Sequence, residues 1–82
     1  MILKMKMPDL STNEATVKVV RWRVEVGQRV ERGQALLEVE TDKAAMEVEA
    51  IASGTMVELC VAAEQEVEAG EVIAIIDAEA RR

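Results

Sequence analysis

The stretch EVETDKAAMEVEA, residues 38–50, sets one lysine, Lys43, between two short runs that mirror each other, EVE before it and EVE after it. Val39, Met46 and Val48 alternate with Glu38, Glu40, Glu47 and Glu49, a period of two that argues for strands with one face in a core. A two-residue loop of Asp42-Lys43 sets Thr41 opposite Ala44, Val39 opposite Met46 and Leu37 opposite Val48. Those apolar pairs share one face, the register that a half-buried hairpin needs. The same register brings Glu38 opposite Glu47, a mildly unfavourable like-charged pair. Asp is an ordinary turn residue, and a lysine at the tip projects into solvent. Local helix propensity over 42–50 and 62–69 competes with this reading. The apolar positions Val39, Met46, Val48 and Ile51 fit paired strands better than a helical stripe.

Outward from the hairpin, the chain repeats itself. VGQRVERGQALLEV (26–39) aligns with AEQEVEAGEVIAII (63–76) at an offset of 37 residues, with Val30 on Val67, Gly33 on Gly70 and Val39 on Ile76. Upstream, Val20 falls on Val57 and Val24 on Val61. A solenoid needs about three or more repeats, so two copies predict one domain of two similar halves. Each half reads as short strands: ILKMKM, LLEVE, MEVEA, MVELCV and VIAIID, separated by glycine-containing connectors. The fold class expected is all-β, a sandwich or flattened barrel. Lys43 lies at the join of the halves. Subtracting 37 lands on Lys6, which predicts Lys6 as its symmetry counterpart, near the termini.

Composition removes most other readings. Eighty-two residues make one small domain with a thin core. The net charge of −6 argues against phosphate-backbone binding, and a single aromatic residue, Trp22, against a base-stacking platform. No apolar run approaches the roughly 20 residues of a membrane helix, and the N-terminus lacks the pattern of a signal peptide. One cysteine forms no internal disulfide, which points to a reducing compartment. The absence of histidine excludes Ser-His-Asp and Cys-His catalysis and ordinary zinc sites. Alternating strand glutamates do not converge as a calcium cage does, so no metal is expected.

MP (7–8), Trp22, VGQRVERGQALLEVETDKAAMEV (26–48), SGT (53–55) and VEAGEVIAII (67–76) together resemble the lipoyl domains of 2-oxo acid dehydrogenase complexes, with ETDKA (40–44) as the specific core. The resemblance implies two four-stranded antiparallel sheets with internal two-fold pseudosymmetry, over residues 1–78, with 79–82 as a tail or the start of a linker. It also implies lipoate in amide linkage on Lys43, flanked by Asp42 and Ala44. There it would act as a swinging arm, reductively acylated by a thiamine-dependent 2-oxo acid decarboxylase. An acyltransferase domain would take the acyl group, and a flavin dihydrolipoyl dehydrogenase would reoxidise the arm. The lipoate-attachment enzyme would read Glu40, Gly27 and Gly54. Partners would read the loop Asp9, Leu10, Ser11, Thr12, Asn13, Glu14 and Ala15. Nothing catalytic is implied within these residues: the chain is expected to be a monomeric carrier domain of an acyltransferase. Pyruvate is the first choice of oxo acid, and bacterial cytoplasm or mitochondrial matrix the compartment.

Two departures stand out. Ala15 replaces a common glycine. Glu64, aligned with Gly27, replaces another; a left-handed backbone there would cost a non-glycine residue roughly 1 kcal/mol or more. Three alternatives compete. A biotinyl domain has methionines flanking its lysine; KMKM (4–7) has them, but at the N-terminus. The glycine-cleavage lipoyl carrier is longer. An unmodified acidic interaction domain would carry no group at all. Catalysis by Cys60 lacks a histidine or nearby lysine to lower its pKa, and if residues 57, 59 and 61 face inward it faces out or lies at a sheet edge. Met46 and Met56 read as core filler.

Overall fold

The computed structural model describes residues 1–10 and 16–79, and no helix occurs among them. The alternating runs become eight strands: β1 (Ile2–Lys6), β2 (Thr16–Trp22), β3 (Arg29–Val30), β4 (Ala35–Glu40), β5 (Ala45–Glu49), β6 (Gly54–Leu59), β7 (Glu66–Glu68) and β8 (Val72–Ala78). Two four-stranded antiparallel sheets result, ordered β1-β8-β6-β3 and β5-β4-β2-β7. No strand of one sheet pairs with a strand of the other. Of the two forms expected, a sandwich or a flattened barrel, the structure is a flattened sandwich whose sheets do not close on each other.

Between the sheets lies an aliphatic core in which Met5, Met56, Leu36, Leu37, Ile73 and Ile76 are fully buried. Each such side chain contributes roughly 1.5–3 kcal/mol relative to exposure. Trp22 packs against this core, and its indole N–H donates to the Val61 carbonyl at 2.7 Å, which ties the end of β2 to the segment after β6. A buried indole requires such a partner.

The halves superimpose hydrogen bond by hydrogen bond. Gly27 N–H donates to Met56 O and Glu64 N–H to Val19 O, both at 2.8 Å, and both positions shift by 37. The register breaks of the ladders repeat as well. Val20 is passed over in the β2–β4 pairing and Val57 in β6–β8, while Leu36 is passed over in β4–β5 and Ile73 in β1–β8. A bulge puts two neighbouring side chains on the same side. Hence Leu36 and Leu37 are both buried, as are Ile73 and Ala74. The expectation that Val57 faces inward fails for the same reason: it is 43% exposed, and Met56 takes the inner position.

Lys6 is not the counterpart of Lys43. The 37-residue offset holds from β2–β4 to β6–β8, but β5 maps back onto β1 at 43. Leu37 pairs with Val48 as Ala74 pairs with Met5, and Ala35 with Glu49 as Val72 with Lys6. Lys6 therefore matches Glu49. It lies at the end of β1 remote from Met1 and Ala78, not beside them. The Lys43 turn corresponds instead to the gap between the chain ends, where Ala78 N–H donates to Met1 O at 2.7 Å just as Thr41 N–H donates to Ala44 O at 2.9 Å.

Glu64 adopts φ +74° where Gly27 has +90°. The left-handed backbone anticipated from the alignment is thus present, and the glutamate bears its strain. Its ion pair with Lys18 (3.1 Å) is largely exposed and offsets little. At Gly54 the constraint is space: a Cβ there would collide with the Asp77 carbonyl oxygen and lie 2.8 Å from Ala78 Cα. A Cβ on Gly27 would meet nothing within 4 Å, so for a substitution there only the backbone angle matters.

These differences predict three unfolding free energies. Glu64→Gly raises stability by about 0.5–1 kcal/mol, Gly27→Ala lowers it by about 1 kcal/mol, and Gly54→Ala lowers it by about 1–3 kcal/mol. Urea titrations followed by Trp22 fluorescence check the order. A neutral Glu64→Gly would mean that the strain is relieved elsewhere.

Candidate functional site

The β4–β5 ladder runs in the register read from the sequence, with Leu37 on Val48, Glu38 on Glu47, Val39 on Met46 and Glu40 on Ala45. Leu37, Val39 and Val48 are buried and Met46 packs at the core's margin. The unfavourable Glu38–Glu47 pair has a remedy that was not read from the sequence. Arg23 reaches between the two carboxylates, Nη2 to Glu38 at 3.2 Å and Nε to Glu47 at 2.8 Å, and Arg21 adds a third contact to Glu38 at 3.1 Å. The signal was present in VVRWRV, where Arg21 and Arg23 flank a large hydrophobe with the spacing of one strand face.

Beyond Glu40 and Ala45 the chain closes in a tight turn. Thr41 donates its backbone N–H to Ala44 O at 2.9 Å, and Asp42 and Lys43 form the tip. Lys43 is exposed, and its ammonium forms no ion pair or hydrogen bond with the described residues. Lys18 by contrast is engaged with Glu64. Lys4 and Lys6 lie within β1, on pairing positions of a ladder. Lys43 combines a turn position, full access and an unengaged amine.

The Thr41 hydroxyl was also missed in the sequence, where Thr41 figured only as the partner of Ala44. Its Oγ1 accepts from the N–H groups of Lys43 and Ala44 and donates to Ala44 O, each at 3.2 Å. A threonine directly before an Asp-Lys turn is the signal that could have found it, because such hydroxyls bond locally to turn backbone.

The other predicted residues fall in two places. Glu40 is exposed at the end of β4 and, with Thr16, Lys18, Thr41, Asp42 and Glu66, lines a shallow groove of about 260 Å³ beside the tip. Gly27 and Gly54 lie elsewhere, at the β3–β6 corner: Gly54 pairs with Val30 and with Ala78 next to the chain ends. They hold their own sheet together rather than shape the Lys43 hairpin. Of the partner loop, Asp9 is exposed and Leu10 packs against the core's edge. Ser11, Thr12, Asn13, Glu14 and Ala15 lie outside the described residues. The loop's exit, Thr16, borders the groove at the tip.

Cys60 is partly buried, and burial first and the Glu58 charge second push its thiol above its ordinary pKa. That is the opposite of what a nucleophile needs. Among the described residues no three His, Cys, Asp or Glu side chains stand together as a metal site would require.

The geometry can be set beside known proteins. The family model described as "Biotin-requiring enzyme" (Biotin_lipoyl) matches residues 3–76. The dihydrolipoyllysine-residue acetyltransferase component of the pyruvate dehydrogenase complex of Rhizobium meliloti is 39% identical over 80 residues, 96% of this chain. Component 3 of the mitochondrial counterpart in Arabidopsis thaliana is 40% identical over 70 residues, 84% of the chain. The chain spans only 18% and 13% of those relatives' own lengths. The solution structure of the lipoyl domain of the Azotobacter vinelandii 2-oxoglutarate dehydrogenase complex superimposes with a TM-score of 0.73 at 28% identity, covering 94% of this chain and 99% of that one. The Kluyveromyces lactis urea carboxylase superimposes at 0.77 with 26% identity, over 93% of this chain but 6% of the enzyme. The chain therefore belongs to the biotin- and lipoyl-attachment family, as a lipoyl domain of the kind found in dihydrolipoyllysine acyltransferases.

Proposed function

We propose that Lys43 is the residue that carries lipoate, in amide linkage, and that the chain is the non-catalytic carrier part of a dihydrolipoyllysine acyltransferase. The carrying observation is the exposed, unengaged amine on a hydrogen-bonded two-residue tip. The donor set fits the group. Amide formation needs an accessible lysine nitrogen, and a tethered cofactor needs no cavity to hold it. When bound, lipoate supplies a dithiolane that takes up an acyl group and electrons.

The chain's own residues supply presentation. The ladder ends at Glu40 and Ala45, so the rigid scaffold reaches to three residues before Lys43 and two after it. Beyond that point the lysine side chain is free to move. A tether of this kind raises the effective concentration of the carried group at every active site within its reach. The partners proposed are a lipoate-attachment enzyme, a thiamine-dependent 2-oxo acid decarboxylase, an acyltransferase domain and a flavin dihydrolipoyl dehydrogenase. Glu40 is proposed as the attachment enzyme's contact beside the tip. Gly27 and Gly54 would act on recognition only through the stability of the first sheet. Asp9, Leu10 and the residues that follow are proposed as the partner loop, a reading supported by Thr16, the first strand residue after them, which lines the groove at the tip. Pyruvate is the oxo acid proposed, and the bacterial cytoplasm or the mitochondrial matrix the compartment.

The biotinyl reading is the second. It draws on the likeness to urea carboxylase, but Lys43 is flanked by Asp42 and Ala44 rather than by methionines.

Intact mass and peptide mapping after expression with lipoate, biotin and both attachment enzymes test the assignment. One lipoyl increment on Lys43 is expected. Lys43→Ala should lose it while changing unfolding free energy by less than about 0.5 kcal/mol, as exposed sites do. Lys6→Ala should keep it. A biotinyl increment would move the chain to the carboxylase side, and an unmodified chain would leave an acidic interaction domain.

A further inference from the structure

We infer that the Thr41 hydroxyl is a positioning group for modification of Lys43, a role that rests on Lys43 being the attachment site. Thr41 stands immediately before the tip. Its Oγ1 lies 3.2 Å from three backbone atoms, Lys43 N, Ala44 N and Ala44 O. A hydroxyl has one proton to donate and two lone pairs to accept with. Here the proton goes to the Ala44 carbonyl and the lone pairs to the two amides, so its whole capacity is spent on the turn that bears the lysine.

No other side chain among the described residues holds the backbone of Lys43. Without the hydroxyl, the amides of Lys43 and Ala44 lose their side-chain acceptor, while the Thr41 N–H bond to Ala44 O remains. The Lys43 amide would then turn to water, and the tip would sample other two-residue conformations. The scaffold below would not change, because Glu40 and Ala45 remain paired and Val39 remains buried. The hydroxyl therefore governs the direction of Lys43 rather than the existence of the hairpin. An enzyme that must bring this amine to an activated carboxyl selects one turn conformation. Its apparent affinity falls by whatever fraction of molecules leaves that conformation.

Two substitutions separate this role from packing. Thr41→Val keeps the shape and the branched Cβ that suits a strand end, and loses only the hydroxyl. Thr41→Ser keeps the hydroxyl and loses the methyl. The purified chain is incubated with a lipoate–protein ligase, lipoate and ATP, and initial rates are read by intact mass across a range of domain concentrations. Thermal melts are run in parallel.

For Thr41→Val the KM for the domain should rise about threefold to tenfold with kcat unchanged, the factor expected from losing weak, exposed hydrogen bonds. Thr41→Ser should return KM to within about twofold of the original. All three proteins should melt together, so a fall in rate cannot be read as unfolding. An unchanged KM in Thr41→Val overturns the inference, as does equal impairment of the valine and serine variants, which would assign the effect to the methyl. Failure of the original chain to take lipoate on Lys43 overturns the attachment reading itself, and is seen before any variant is made.

Discussion

Everything about this domain's tip depends on the cross-strand pairing that buries Val39, Leu37 and Val48 together. A strand slipped by one residue would carry its glutamates into the core and its valines into water. With charged groups at every second position, that slip would bury several unpaired carboxylates, at a cost no small domain could bear. The burial therefore fixes the ladder, the ladder fixes where it must end, and its end fixes Asp42-Lys43 as the only two residues left for the tip. The position of Lys43 is thus set by apolar side chains that never touch it. Arg23 makes the same register tolerable on the outer face by placing one guanidinium between Glu38 and Glu47.

The pseudosymmetry gives this constraint a second use. Each half builds the same arrangement of ladder, bulge and left-handed corner, down to matching bonds at Gly27 and Glu64. At one place the chain is continuous across the symmetry-related hairpin position, and there it carries Lys43. At the other, Met1 and Ala78 are bonded across a break. The path from tip to break runs along β2, which leaves the tip at Lys18 beside Glu40. It then passes through the corner at Gly27 into β3, beside Gly54 and Ala78. Two similar halves therefore give the molecule two unlike ends.

Much of this was legible in the residues, for identifiable reasons. Burial on one face writes a period of two into the sequence, so the strands, the hairpin register and Lys43 at its tip could be read directly. The duplication wrote itself into the spacing of Val30 and Val67 or Gly33 and Gly70. Alignment also exposed the strained corner at Glu64. What failed were features without period. A bulge consumes one residue and reverses the alternation after it, which turned Val57 outward and let Leu36 and Leu37 share the interior. The return of β5 onto β1 uses an offset of 43 rather than 37, because six more residues separate Met5 from Val20 than separate Val48 from Val57. Simple subtraction therefore misplaced Lys6. The resemblance named Gly27 and Gly54 without saying what the backbone asks of them, which is a left-handed angle at Gly27 and a close approach at Gly54. The Arg23 bridge and the Thr41 hydroxyl are pairwise matters of distance, and a linear chain does not record distance.

A carrier must be rigid up to its attachment point and free beyond it, and the distribution of interactions here meets both demands. Side-chain mobility in the scaffold would blur the anchor and waste part of the arm's reach on positions where no active site stands. A firm hold on the lysine side chain would defeat the tether altogether. Along the hairpin the hold is by burial as far as Val39 and Met46, then by backbone pairing at Glu40 and Ala45, then by hydrogen bonds alone at Thr41 and Ala44. At the Lys43 amine it is by nothing among the described residues. The interactions weaken step by step toward the tip, so freedom begins at the lysine side chain and not before it.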